Sequence, residues 1–132
     1  MKTENKQFRD LFPLIGMLVI AIIVVVIAHA MMNSGPVITV QPEDVTVSAV
    51  GEKATVSVKA KGDDLTYQWY VKNQGGEKFN KSKIKKDTYS VKMTEKRNGR
   101  QLYCVVTDQD GKTVQSNTVT IAIAGTEVVN QP

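Results

Sequence analysis

The chain has 132 residues, of which 42% are apolar, and its formal net charge is +4 at pH 7. This length excludes a large enzyme and a multi-span transporter, the single cysteine excludes a disulfide-stapled miniprotein, and the apolar content is too high for a disordered tail. The composition is uneven, because residues 11–32 contain no Asp, Glu, Lys or Arg whereas the rest has an ordinary soluble composition. The sequence therefore predicts two parts in different environments.

Residues 11–32 predict a transmembrane helix that acts as a signal anchor in contact with membrane lipid. At ~1.5 Å rise per residue, a helix of this length spans the ~30 Å hydrocarbon core of a bilayer. A strand in lipid would leave its backbone amide and carbonyl groups unpaired, so a helix is expected. Basic residues occur in segment 1–10 and none occurs in the linker 33–36. This bias predicts a single-pass membrane protein with a cytoplasmic N-terminus and an extracellular C-terminal domain.

A cleaved signal peptide is the alternative for the same segment. Ala28, His29 and Ala30 form a small-x-small triplet of the kind that signal peptidase recognises, and cleavage after Ala30 would release a secreted protein. The apolar run is longer than the about 7 to 15 residues of a usual signal core, which favours the uncleaved anchor. Both forms remain open at this point.

After the linker, the sequence alternates between apolar and polar residues, which predicts β-strands with one buried face. Gly, Asn or Asp residues that favour tight turns separate the alternating segments, and Asp110-Gly111 is the strongest hairpin signal. About seven to nine short strands of this kind indicate an antiparallel β-sandwich. The alternating segments are 45–47, 54–60, 65–72, 89–93, 102–106 and 114–123, with Val119, Ile121 and Ile123 on one face of the last.

Residues 37–124 resemble a bacterial immunoglobulin-like (Ig-like) domain. The motifs that carry the resemblance are residues 37–42 with 45–47 as a split first strand, 51–56 entering the second strand, 65–70 with the core residue Trp69 as the third, 98–108 as the penultimate strand and 111–123 as the final hairpin. The resemblance implies an all-β, Ig-like antiparallel β-sandwich, and the apolar segment 11–32 predicts a single N-terminal transmembrane helix before it. It also implies adhesion or display at a bacterial cell surface.

Two positions depart from the wider immunoglobulin pattern. Val58 stands where a disulfide partner for Cys104 would be expected, and Leu102 stands where the corner tyrosine would be. We therefore expect no disulfide in the domain and a structural core in which Val58, Trp69, Leu102 and Cys104 pack directly. On the apolar face of a strand, Cys104 is expected to be a buried, inert thiol.

The residues do not form a recognisable catalytic or cofactor site, so we expect a protein that is not an enzyme. Residues 37–124 contain no His and one Cys, so no nitrogen or sulfur metal site is expected, and no phosphate-binding glycine loop or nucleophile motif occurs. The acidic clusters, Glu43-Asp44, Asp63-Asp64 and Asp108 with Asp110, are interpreted as turn formers.

A lysine-rich segment is the one feature with evident binding chemistry. Phe79 and Ile84 lie among its lysines, which are Lys78, Lys81, Lys83, Lys85 and Lys86. They would attract polyanions such as anionic cell-wall polymers, glycosaminoglycans or phospholipid head groups. Alternatively, they protect an edge strand against pairing with another sheet. Nucleic acid is not an expected partner, because the segment lacks arginine and stacked aromatic residues.

The sequence thus predicts a membrane-anchored, extracellular Ig-like module that acts in adhesion, in binding or as a spacer. Its partner would be a surface protein or glycan, contacted through Tyr70, Lys72 and Tyr103. The alternatives are a secreted accessory module that binds anionic cell-wall polymers or polysaccharide, and a structural subunit that associates through its membrane helix. The tail 125–132 resembles residues 38–42 at its end, which fits the start of a second repeat.

Overall fold

The computed structural model describes residues 21–24 and 34–126, and the chain divides into two compact units, residues 1–34 and 35–132. In the first unit, residues 21–24 are helical and their side chains are exposed. The rest of the predicted membrane segment, the cleavage triplet and tail residues 127–132 lie outside the described residues. Within the described part of the chain, no helix is long and apolar enough to cross a membrane.

Over its described residues, 35–126, the second unit contains ten short strands and one turn of 3-10 helix, Glu95–Arg97. The prediction of an all-β domain is confirmed. The strands are β1 (Val37–Val40), β2 (Val45–Val47), β3 (Lys53–Ser57), β4 (Lys59–Lys61), β5 (Thr66–Lys72), β6 (Asn80–Lys81), β7 (Thr88–Lys92), β8 (Arg100–Thr107), β9 (Thr113–Gln115) and β10 (Val119–Ile123).

These strands form two layers. In the first layer β1 pairs with β4, and β3 pairs with β7. Only Val58 separates β3 from β4. The Val58 amide donates to the carbonyl of Asp87, just before β7, at 3.0 Å and so extends the pairing of β3 with β7. In the second layer the order is β2-β10-β8-β5-β6, and β9 also pairs with β8. Only the β10–β2 pair is parallel among the described strands.

The first strand is split between the two layers, as the sequence predicts. Pro42 is buried at the break, and without an amide hydrogen it cannot continue the ladder of β1. Two side chains then hold the crossing segment against the second layer. Gln41 Oε1 accepts the Asn117 amide at 2.9 Å, and Asp44 Oδ1 accepts the Thr120 amide at 2.8 Å.

The core lies between the layers and contains the alternate apolar residues of the facing strands. Val58, Trp69, Leu102 and Cys104 are at most 1% exposed. The Trp69 ring lies 5.7 Å from the Tyr89 ring, and its Nε1 donates to the Lys86 carbonyl at 2.7 Å. Cys104 is free, and burial raises the pKa of its thiol to about 11. The domain therefore closes around Trp69 without a disulfide.

The long last strand predicted over 114–123 is wrong, because the structure divides it into β9 and β10. On β8, Val105 lies opposite Gln115 and Leu102 lies opposite Val119. The segment between Gln115 and Val119 therefore contains one more residue than the segment of β8 between Leu102 and Val105. Such an extra residue is a β-bulge. Ser116 stabilises the bulge, because its Oγ accepts the Cys104 amide at 2.8 Å and donates to the Asn117 carbonyl at 2.9 Å.

The Asp110-Gly111 hairpin signal is confirmed between β8 and β9. Gly111 has a φ of +80°, a conformation that glycine adopts without steric cost. The buried carboxylate of Asp108 accepts the amides of Asp110 at 3.0 Å and Lys112 at 2.9 Å. This side chain therefore satisfies two turn amides that the strand ladder cannot reach.

Candidate binding surface

Two stacked tyrosines form the centre of the outer surface of the second layer. Tyr70 on β5 lies directly opposite Tyr103 on β8. Because side chains alternate along a strand, the buried neighbours Trp69 and Cys104 turn both tyrosines outward. The two rings are nearly parallel, with an interplanar angle of 13° and centroids 5.1 Å apart. Pairing between the two strands therefore fixes the position of both rings.

Phe79 and Lys72 complete this surface. The Phe79 ring meets the Tyr103 ring edge-on, with centroids 4.9 Å apart and an interplanar angle of 61°. Lys72 Nζ lies 5.0 Å from the Phe79 centroid, within the range of a cation–π interaction. All four side chains are partly exposed. We call Tyr70, Lys72, Phe79 and Tyr103 the aromatic face.

The loop that leads to Phe79 is held by Arg100 of β8. Arg100 Nε donates to Asn73 Oδ1 at 2.7 Å, and its Nη1 donates to the Tyr89 hydroxyl at 2.8 Å. The Gly76 amide closes the turn by donating to the Asn73 carbonyl at 2.9 Å. These bonds connect the loop to both layers of the sandwich, so Phe79 has a defined position beside Tyr103.

The predicted contact residues Tyr70, Lys72 and Tyr103 are thus brought together by the structure. The sequence pattern does not assign Phe79 to this surface, because Phe79 lies outside any alternating segment. The register of β6 supplies the missing information: Asn80 pairs with Val71, which places residue 79 beside Lys72. A two-residue strand gives no periodicity from which this register could be read.

The five predicted polyanion-binding lysines are all exposed, but they form two groups. Lys78 precedes Phe79, and Lys81 pairs with Tyr70, so both flank the aromatic face. The other three, Lys83, Lys85 and Lys86, lie in residues 82–86, which cross from β6 to β7 and which we call the lysine strap. A shallow cavity of about 360 Å³ is lined by Lys83, Ile84, Lys85, Lys86, Thr88 and Ser90.

The titratable side chains of the described residues form no metal-ligand cluster, and the two clear pKa shifts among them both favour the protonated group. Within residues 21–24 and 34–126, no three His, Cys, Asp or Glu side chains are close enough together to hold a metal ion. Burial raises the pKa of the Cys104 thiol and, with the nearby Asp87 and Cys104, that of the Tyr67 hydroxyl. Both shifts favour the protonated group, which is the less reactive form of a thiol.

Comparison with known proteins finds similarity in structure only. No family model matches the sequence, and no curated protein is significantly similar to it. Among solved structures, the twitchin kinase region from C. elegans (Fn31-NL-kin-CRD-Ig26) matches with a TM-score of 0.50 and 12% identity, covering 70% of this chain and 17% of that one. The fold of the second unit is an Ig-like β-sandwich.

A second match is to the fibronectin(III)-like modules of Clostridium thermocellum CbhA, with a TM-score of 0.36 and 17% identity over 65% of this chain and 92% of that chain. At 12% identity the twitchin match concerns the fold alone, and this chain spans less than one fifth of the twitchin chain. The strand order agrees with the Ig-like assignment, since the split first strand contributes to both layers and the other strands form two facing sheets. Because this sandwich fold carries many functions, what the protein does depends on its surfaces.

Proposed function

We propose that this protein is a non-catalytic binding module that is displayed outside the cell by its N-terminal apolar segment and contacts a surface partner through the aromatic face. The observation that carries the proposal is the group of three aromatic rings and one lysine on the outer surface of β5 and β8. Tyrosine and other aromatic residues are enriched at protein interfaces and among the residues that contribute most to binding.

The rigidity of the aromatic face supports a binding role. Its tyrosines belong to adjacent central strands, and the loop before Phe79 is tied to Arg100 and Tyr89. A surface that is already ordered loses little conformational entropy when a partner binds. In addition, each ring already contacts another ring, so the cluster presents one continuous apolar area with polar groups around it.

The topology can be tested with a cysteine label, because the single native cysteine is buried. Glu77 is exposed, so in a Glu77→Cys variant a membrane-impermeant maleimide should label intact cells expressing the full chain. The parent protein, with Cys104 alone, is the matched control and should label only after denaturation. Labelling of Glu77→Cys only after cell lysis would contradict an extracellular domain.

The aromatic face can be tested by photo-crosslinking on the same cells. A benzoylphenylalanine in place of Tyr103 should give a specific adduct, whereas the same residue in place of Val37, exposed on β1 of the first layer, should not. Adding Phe79→Ala to the Tyr103 probe should reduce the adduct, because the edge contact that completes the surface is removed. Equal adducts from both positions would contradict the proposal.

A secreted module that binds anionic polymers is the second candidate, favoured by the exposed lysines of the strap. Here the chain would begin at Met31 after cleavage and appear in the medium, which intact mass and fractionation would detect. Changing Lys83, Lys85 and Lys86 to Gln should then reduce retention on heparin at low salt and leave the melting temperature unchanged. Salt-insensitive behaviour of the parent protein would contradict this candidate.

A further inference from the structure

The strand β7 is an open edge of the first layer, because it pairs with β3 alone. In an antiparallel pair, alternate residues direct their backbone groups toward the partner strand. The Val58 amide donates to Asp87 and the Met93 amide donates to Glu52, so odd-numbered residues of this segment face β3. The amides and carbonyls of Thr88, Ser90 and Lys92 therefore face the open side.

Two of these residues have unpaired main-chain groups in the described part of the chain. The Lys92 carbonyl accepts a bond from Arg97 Nη1 at 2.7 Å, which covers one end of the edge. The side chains of Thr88 and Ser90 interact with β3 instead, since the Ser90 hydroxyl lies 3.0 Å from that of Thr55 and the Thr88 hydroxyl lies 3.4 Å from that of Ser57. Their backbone groups remain available for another strand.

The regularity of β7 distinguishes it from the edge strands β1, β2 and β6 of the described domain. The edge strands β2 and β6 have three and two residues, and β1 contains a register shift between Ile38 and Val40. In contrast, β7 has five residues in unbroken register with β3 and contains no proline. Short strands, irregularities, prolines and lysines are the usual protections of an edge. Of these, β7 has only lysines, its own Lys92 and those of the neighbouring strap, which disfavour a basic segment but attract an acidic one.

The cavity described above lies beside this edge. Thr88 and Ser90 form one side of it, and the strap residues Lys83, Ile84, Lys85 and Lys86 form the rest. The three lysines are exposed, and within the described residues none forms a salt bridge. The nearest carboxylate in sequence, Asp87, accepts the Thr88 hydroxyl at 3.3 Å. The groove therefore combines open backbone groups with positive charge and the half-buried side chain of Ile84.

We propose that the β7 edge binds an extended acidic segment of another protein, which adds to the first layer as a strand. The main chain of this segment would pair with Thr88 and Ser90, its carboxylates would contact the strap lysines, and an apolar side chain would pack on Ile84. Strand addition obtains affinity from main-chain hydrogen bonds and specificity from side-chain contacts. A second copy of this chain is disfavoured, because it would bring its own strap lysines against these.

A synthetic peptide with glutamate and valine at alternate positions is a suitable probe for the full-length protein in nonionic detergent. We expect saturable binding that weakens as salt rises from about 0.05 M to about 0.3 M, because exposed charges are screened. Amide hydrogen exchange should slow at Thr88 and Ser90 when the peptide binds, whereas amides that already pair with β3 should change little. Unchanged exchange at these two amides would overturn the proposal.

A second peptide separates strand addition from simple charge attraction. Methylation of the backbone nitrogens that face the protein retains every charge but removes the main-chain donors. Two lost hydrogen bonds at about 1 kcal/mol each correspond to a weakening of about 30-fold. Equal affinity of the methylated and unmethylated peptides would show that the strap attracts any polyanion, and would overturn strand addition.

Protein variants provide the complementary test. Lys83→Glu, Lys85→Glu and Lys86→Glu together should abolish binding, whereas the same change in charge at Lys59, Lys61 and Lys96, which are exposed elsewhere, should retain most of it. Ser90→Pro removes an amide that is not used in pairing with β3, and edge strands tolerate such a proline. Loss of one hydrogen bond should weaken binding about fivefold, and peptide binding equal to that of the parent would overturn the proposal.

This inference is independent of the aromatic face, which belongs to the other layer. Tyr103→Ala should leave peptide binding unchanged, and Ser90→Pro should leave crosslinking from the Tyr103 position unchanged. If Ser90→Pro fails to fold, as judged by circular dichroism, the methylated peptide still decides the question with the parent protein. Failure of one proposal is thereby distinguished from failure of the other.

Discussion

Replacement of Trp69 by Ala tests whether the domain depends on one aromatic residue in place of a disulfide. Trp69 is 0% exposed, lies 5.7 Å from the Tyr89 ring and donates to the Lys86 carbonyl at 2.7 Å. Truncation of a buried tryptophan costs about 3–5 kcal/mol in cavity and transfer terms. Because the free energy of unfolding of a small domain is only about 5–15 kcal/mol, this loss should move the midpoint of urea unfolding to a much lower urea concentration.

The assay is urea unfolding of the full chain in nonionic detergent, followed by circular dichroism. Fluorescence serves for the parent protein only, since Trp69 is its single tryptophan. Trp69→Phe is a graded control. Because it retains an aromatic ring, it should lower the free energy of unfolding by less than Trp69→Ala. It should still be less stable than the parent, because the Lys86 carbonyl loses its donor. Tyr103→Ala, on the surface, should change the midpoint least. An unchanged urea midpoint for Trp69→Ala would refute the packing of Trp69 against Tyr89 in the core.

Three further predictions concern polar groups around the core. Burial raises the pKa of the Cys104 thiol from 9.0 to about 11. Because the thiol of the unfolded chain therefore ionises at lower pH, the free energy of unfolding should fall as pH rises from about 9 to about 11. Cys104→Val should reduce that fall in parallel urea titrations. Asp108→Ala should cost about 1–3 kcal/mol by leaving two turn amides unpaired, and Asp108→Asn, which keeps an acceptor oxygen, should cost less. Ser116→Ala removes the acceptor of the buried Cys104 amide and should lower the melting temperature, whereas the exposed control Ser48→Ala should not.

The strands and the core were predictable because their signal is local. Alternation places Trp69 and Cys104 on the same side of neighbouring strands, and the structure pairs them directly. The bulge also has a signal in the sequence. Apolar Val114 is even-numbered, whereas apolar Val119 and Ile121 are odd-numbered, and both sets pack in the core only if the strand contains one extra residue.

The candidate surfaces were less predictable because they depend on pairing between distant segments. Phe79 joins Tyr103 only through the register of β6, which two residues cannot specify. The lysine-rich segment appears continuous in the sequence, but the strap crosses between the layers and separates Lys81 from Lys83. The order of the strands also decides which side of β7 has no paired strand, and no periodicity in residues 88–92 indicates that side.

Trp69 connects both candidate surfaces to the core, and this affects how variants should be interpreted. Its neighbour Tyr70 belongs to the aromatic face, while its indole nitrogen holds the Lys86 carbonyl at the end of the strap. Gln68, on the same strand, donates to the Ser82 carbonyl at 2.8 Å, so β5 positions both ends of the strap. A core variant that loosens β5 would consequently reduce binding at either surface without identifying one. Only substitutions at partly exposed positions outside the core, such as Tyr103→Ala and Ser90→Pro, each tested on both activities, can assign a partner to its surface.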